Sequence, residues 1–123
     1  MPKVLVVEDD QILQRAYSTV LRMEGFEVSS VSDGEEALRV AEEFSPDVIL
    51  LDILMPNLDG IGFLRSYNAP EKHQHTKIIV FSNVSIPEKI QQASALGAST
   101  YMIKATFTPK EMIVAVKEIL KKG

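Results

Sequence analysis

Four acids, a hydroxyl and an ammonium in this 123-residue chain follow short apolar runs. Glu8-Asp9-Asp10 come after residues 4–7, Asp52 after residues 48–51, Ser82 after residues 78–81, and Lys104 after residues 101–103. If the runs are strands of an open parallel sheet, all of these groups gather in the crevice beyond the strands' carboxyl ends, where such sheets bind ligands. An acid directly after four buried apolar residues is costly to desolvate unless something compensates it. Should the first and third strands be neighbours, Glu8, Asp9 and Asp52 would converge and repel each other. A hard divalent cation relieves that repulsion. Two or three carboxylates plus a carbonyl suit Mg2+, which takes about six oxygens and keeps several waters. Mn2+ could substitute for it, since carboxylate, carbonyl and water suit that ion as well. The chain has no cysteine and no histidine near these positions, which disfavours zinc. A hydroxyl (Ser82) and an ammonium (Lys104) beside a metal-bound carboxylate can both contact phosphate oxygens. Taken singly, the acids could be a solvated helix entry, Ser82 a turn former and Lys104 a surface lysine. Their coincidence at four strand ends carries the weight.

The runs at 4–7, 48–51 and 78–81 are continuous and rich in β-branched residues, as expected of strands buried on both faces. Weaker runs at 26–31 and 100–103 read as strands nearer the edges. Between and after them lie five helical stretches. Residues 11–24 set Ile12, Leu13, Ala16, Tyr17, Val20 and Leu21 on one stripe, and Gly25 stops it. Residues 34–44 carry Ala37, Leu38 and Ala41 before Ser45-Pro46, and 61–67 form a shorter segment. Ser85-Ile86-Pro87-Glu88 and Thr108-Pro109-Lys110-Glu111 each place a hydroxyl three residues before a glutamate, the spacing of a capping box. Five βα repeats imply an α/β sheet with right-handed crossovers.

Length and composition fit one domain, 1–123, with no linker or repeat. Apolar residues make up 46% and charged ones 24%, ordinary for a globular protein. The net charge of −4 disfavours direct binding to nucleic acid or an anionic membrane. The absence of cysteine fits a reducing compartment, and no signal peptide or spanning segment is visible, so a cytoplasmic location is expected.

On these residues the chain resembles a response-regulator receiver domain of two-component signalling, the chemotaxis type included. The resemblance covers essentially the whole chain. It rests on Val4-Leu5-Val6-Val7-Glu8-Asp9-Asp10, Asp33-Gly34-Glu35-Glu36-Ala37-Leu38, Pro46-Asp47 running into Asp52, Met55-Pro56-Asn57-Leu58-Asp59-Gly60, and Gly97-Ala98 with Tyr101 and Lys104. It implies a flavodoxin-like, doubly wound fold: a five-stranded parallel sheet of order 2-1-3-4-5 with five helices on both faces. It also implies that Asp52 is the phosphoacceptor, in a phosphorelay fed by a histidine kinase, a phosphotransfer protein or a small donor. Glu8, Asp9, Asp52 and the backbone carbonyl of Leu54 would hold Mg2+. Lys104 would pair with the phosphoryl group, Ser82 would move toward it, Asn83 would lie beside it, and Tyr101 would turn inward as a switch. The signal would appear on the face of the fourth helix, fifth strand and fifth helix, about residues 85–117. That face would serve a downstream protein or a second copy.

Three departures from the family pattern stand out. Ala105 follows Lys104 where a proline joined by a cis peptide is usual, so the loop is expected to be trans and Lys104 differently aimed. Asn83 follows Ser82 where a smaller residue is common. Leu54 and Val84 are apolar at two positions that often carry polar side chains, and they should flank the path of water to an aspartyl phosphate. No enzymatic turnover is expected beyond self-phosphorylation and slow autodephosphorylation. Two other readings are weaker. An aspartyl-phosphate phosphotransferase commonly has a second acid two residues after its nucleophile, but that place is Leu54. A pseudo-receiver acting only by protein contacts would not need Glu8, Asp9, Asp52, Ser82 and Lys104 together. His73 and His75 read as solvated loop residues, and Asp59-Gly60 as a turn at the third helix.

Overall fold

A computed structural model describes residues 1–122. Five strands, β1 (Lys3–Val7), β2 (Glu27–Val31), β3 (Val48–Leu51), β4 (Lys77–Ser82) and β5 (Thr100–Ile103), form one sheet in the order β2-β1-β3-β4-β5. All four pairings are parallel. The expected order is the observed one. Five helices cover it: α1 (Gln11–Met23), α2 (Gly34–Phe44), α3 (Gly60–Tyr67), α4 (Pro87–Ala95) and α5 (Pro109–Lys121). A single helical turn, Ala69–Lys72, and a 3-10 turn, Lys104–Thr106, complete the chain.

Alternation along the central strands divides the core in two. Val4, Val6, Val48, Leu50, Ile79 and Phe81 point to one face and pack with Tyr17, Leu21, Met112 and Val116 of α1 and α5. Leu5, Val7, Ile49, Leu51, Ile78 and Val80 point to the other, against α2, α3 and α4 through Ala37, Ala41, Phe63, Leu64 and Ala93. With both faces covered, the central strands have no polar side, which is why they read as unbroken apolar runs.

Local chemistry corrects several expectations. Strand β2 begins at Glu27, because Phe26 closes α1. Gly25, at φ +92°, allows the Gly25 N–H to reach Arg22 O at 3.0 Å and the Phe26 N–H to reach Leu21 O at 3.2 Å. The Thr108–Glu111 capping box forms, with Glu111 N–H to Thr108 Oγ1 at 3.1 Å and Thr108 N–H to Glu111 Oε1 at 2.8 Å. The box expected at Ser85 does not form. Ile86 precedes Pro87 and is held extended at ψ 122°, so it takes the cap position and has no side chain able to cap. His73 is not solvated either. The turn at 69–72 brings its ring onto Tyr67, centroids 3.9 Å apart and 3° from parallel, with Nε2 3.2 Å from Glu42 Oε1. His75 is exposed as expected.

Candidate functional site

The sheet's hydrogen bonds run one residue past the strands. Asp52 N–H donates to Val7 O at 3.0 Å and Glu8 N–H donates to Val31 O at 3.1 Å, which sets the two acids side by side at the ends of β3 and β1. Asp10 turns the chain away into α1, its Oδ1 accepting from the N–H groups of Ile12 at 2.9 Å and Leu13 at 3.1 Å. Glu8 Oε2 accepts from Asp10 N–H at 3.1 Å, so the acidic loop is closed on itself. Gln14, which sequence reasoning missed, braces the loop from α1. Its amide nitrogen donates to Glu8 O at 2.7 Å and Val31 O at 2.8 Å. The only signal was a polar residue on the first turn after the Asp10 cap.

The segment 55–60 fixes the other wall. Asn57 adopts φ +68° and its Nδ2 donates to Asp33 Oδ2 at 2.8 Å, while Gly34 N–H donates to Leu58 O at 3.0 Å. A Cβ on Gly34 would stand 2.1 Å from Leu58 O, and one on Gly60 would stand 2.5 Å from Asp52 O. Both glycines are therefore required by close backbone approach. Asp59 caps α3 through Gly62 N–H at 2.8 Å, so the residues after Asp52 leave the strand along one defined path.

Lys104 reaches across from β5. Its Nζ lies 2.6 Å from Glu8 Oε1 and 3.1 Å from Asp52 Oδ2. The Lys104–Ala105 peptide is trans, as are all peptide bonds among the described residues. The trans loop still delivers the ammonium to the Asp52 carboxylate, so the expected change of aim does not occur. Glu8 is 3% exposed and Asp52 7%, whereas Asp9 is open to solvent. Burial pushes the Glu8 carboxyl above its usual value, with the Lys104 hydrogen bond opposing it. Burial alone would lower Lys104, but the hydrogen bond to Glu8 and the charges of Asp52 and Glu8 outweigh it and hold the ammonium above its ordinary range.

One oxygen from each of Glu8, Asp9 and Asp52 lies within 4.8 Å of the others. Ligands of an octahedral cation at 2.0–2.1 Å stand roughly 3 Å apart when adjacent and roughly 4 Å when opposite. At most one pair of three ligands can be opposite, so the three carboxylates would hold a small hard cation after closing by up to about 2 Å. They line an open cleft of about 350 Å³ with Leu54, Ser82, Asn83 and Lys104. Leu54 is 67% exposed at its mouth. Val84, expected opposite it, packs against the core instead and is not part of the cleft wall.

Ser82 and Asn83 of the cleft wall, and Tyr101, are each held by a hydrogen bond to a neighbouring loop. Ser82 is buried, and its Oγ accepts from Val84 N–H at 3.2 Å. Tyr101 is half-buried against the core, its hydroxyl donating to Val84 O at 2.5 Å. Asn83 Oδ1 accepts from Ala105 N–H at 2.7 Å. The two loops that carry Ser82 and Lys104 are therefore directly joined.

The sequence matches the response regulator receiver domain family over residues 4–117. It is 37% identical over 121 residues to the transcriptional regulatory protein PrrA of Mycobacterium leprae, and 35% identical over 120 residues to a probable transcriptional regulator, ycf27, of Guillardia theta. Each match covers 98% of this chain but only 51% and 46% of the relative, so the chain spans about half the length of these proteins. The chemotaxis protein CheY4 of Vibrio cholerae superposes with a TM-score of 0.88 at 32% identity, covering 98% of this chain and 99% of that one. The receiver domain of Francisella response regulator 1452 gives 0.86 at 30% identity, covering 99% and 98%. Among the described residues, no helix is long and apolar enough to cross a membrane.

Proposed function

Because this chain belongs to the response regulator receiver domains of two-component signalling, we propose that it takes a phosphoryl group on Asp52 and reports it through the α4-β5-α5 surface. The observation that carries the reading is Lys104 Nζ bridging Glu8 and Asp52 inside a cluster of three carboxylates. Glu8, Asp9, Asp52 and the carbonyl of Leu54 would hold Mg2+. When bound, the cation would neutralise charge between the carboxylate and the phosphoryl oxygens.

An Asp52 carboxylate oxygen attacks phosphorus and forms the acyl phosphate bond. The bond from phosphorus to the donor's nitrogen or oxygen breaks, and its electron pair leaves with the donor. Lys104 donates to a phosphoryl oxygen as charge develops there. Ser82 then turns to donate its hydroxyl to a phosphoryl oxygen and gives up the bond it accepts from Val84 N–H, which changes the backbone that Tyr101 holds. That difference in contacts is what a two-state surface needs to shift its equilibrium. The protein stores and relays the group rather than turning over a substrate. Its donors are a histidine kinase, a phosphotransfer protein or a small acyl phosphate in the cytoplasm. Its readers are a downstream protein or a second copy on the α4-β5-α5 face.

Incubation with acetyl phosphate and Mg2+, followed by intact mass measurement, tests the acceptor. Wild type should gain one phosphoryl group, whereas Asp52→Asn or wild type with chelator should not. An equal gain in Asp52→Asn sinks the assignment. Amide NMR shifts on beryllofluoride binding should extend over residues 85–117. Shifts confined to the loops around Asp52 would leave a phosphate store without a switch.

A further inference from the structure

Two of the positions at which this chain departs from the pattern of the domains it resembles meet each other. Asn83 stands where a smaller residue is usual and Ala105 where a proline is usual, and Asn83 Oδ1 accepts from Ala105 N–H at 2.7 Å. Proline has no N–H to donate and its ring locks φ near −65°. Alanine restores the donor and removes the lock. The amide donor requires an oxygen opposite it, which fixes the orientation of the Asn83 side chain.

We infer that Asn83 is a positioning residue for Lys104: its side-chain carbonyl holds the trans Lys104–Ala105 turn in place. This rests on the phosphoacceptor reading only for its consequence, not for the contact itself. Within the turn, Phe107 N–H reaches Lys104 O at a long 3.4 Å and Thr106 Oγ1 reaches Ile103 O at 2.9 Å. Both bonds stay inside residues 103–107 and so do not tie the turn to its neighbour. The Asn83–Ala105 bond does, and it joins the residue after Ser82 to the residue after Lys104. A loosened turn leaves the Lys104 ammonium less time within reach of Asp52, from which it now stands 3.1 Å. The same bond draws the β4–α4 loop, with Ser82 and Val84, toward the phosphoryl cleft that Asn83 lines.

A double-mutant cycle on Asn83→Ala and Ala105→Pro tests this. The contact itself is read by exchange of the Ala105 amide proton, which needs no phosphorylation. Protection should fall about tenfold in Asn83→Ala, and an unchanged rate overturns the proposal. The consequence is read by the rate of phosphorylation from acetyl phosphate at saturating Mg2+, beside Mg2+ affinity and thermal stability. Asn83→Ala should slow phosphorylation roughly three- to tenfold, with Mg2+ affinity held within twofold. Adding Ala105→Pro to Asn83→Ala should recover the rate, because the ring supplies the lost constraint. A slow double mutant, or slowing that tracks a fall in Mg2+ affinity, overturns it. Should wild type accept no phosphoryl group while the Ala105 amide behaves as expected, the acceptor reading fails and the latch stands.

Discussion

Lys104→Met removes the cation that lies between Glu8 and Asp52 while keeping most of the side chain's volume. Breaking a buried ion pair by deleting one partner commonly costs about 3–5 kcal/mol. Here a second route limits the loss, since the stranded Glu8 can take up a proton. Its ordinary pKa is 4.5, so neutralising it at pH 7 costs 2.5 pH units at 1.36 kcal/mol each, about 3.4 kcal/mol. That ceiling lies near the bottom of the ion-pair range, so protonation wins. Wild type already bears part of the cost, because burial holds Glu8 above its usual value even beside Lys104. The expected loss at pH 7 therefore stays under the ceiling of about 3.4 kcal/mol. At pH 5 the same ceiling is only about 0.7 kcal/mol. The sign follows from linkage. A carboxyl raised in the folded state binds more protons there than in the unfolded chain. Its contribution is full below 4.5 and is lost as pH rises through the folded value. The variant, with a higher folded value, must lose more over that window than wild type. The ammonium is held above 10.5 and stays charged throughout, so its own titration adds nothing between pH 5 and 7. Urea unfolding of both proteins in chelator, at pH 5 and 7, gives the four free energies. A deficit that is the same at both pH values, or below about 0.5 kcal/mol at pH 7, refutes the argument.

Thr108→Ala should cost about 1 kcal/mol through loss of the α5 capping box, whereas Ser85→Ala should stay within about 0.5 kcal/mol because Ser85 caps nothing. Equal effects in urea unfolding would place the α4 cap at Ser85 after all. Gly34→Ala should lose about 2 kcal/mol or more, since its Cβ would lie 2.1 Å from Leu58 O and the β3–α3 loop would have to move; a neutral variant would mean that the loop is not held there. Leu54→Asn should speed decay of the phosphorylated protein, tenfold for each 1.4 kcal/mol by which a positioned water lowers the barrier. Val84→Glu should change it little, because Val84 faces the core and not the cleft. Faster decay from Val84→Glu alone would reverse that assignment.

What could be read from the sequence was whatever depends on a residue and its near neighbours in the chain. Strands β1, β3 and β4 are buried on both faces, so burial wrote itself as unbroken apolar runs, and the polar residue ending each run marked the sheet's carboxyl edge. Glu8, Asp52 and Ser82 were found in that way, and Lys104 from its place after the weaker run of β5. The Thr108 box was found because all of its partners lie within four residues. The Ser85 box failed on equally local grounds: a hydroxyl three before a glutamate was weighted above the restriction that Pro87 places on Ile86.

The contacts that escaped notice join residues far apart in the chain. His73 is held by Tyr67 and Glu42, and the αL residue Asn68 that folds the turn back between them gives no sign of where the ring will land. Gln14 braces two carbonyls, Glu8 O and Val31 O, that approach each other only once β1 and β2 have paired. Asn83 and Ala105 looked like two separate departures from the family pattern. Paired through one hydrogen bond across 22 residues, they form one feature, and Lys104 keeps its place beside Asp52. A departure from a pattern can therefore be weighed only together with the residue it touches. The β4–β5 register, Ser82 beside Ile103, brings Asn83 to the start of the 3-10 turn that carries Ala105.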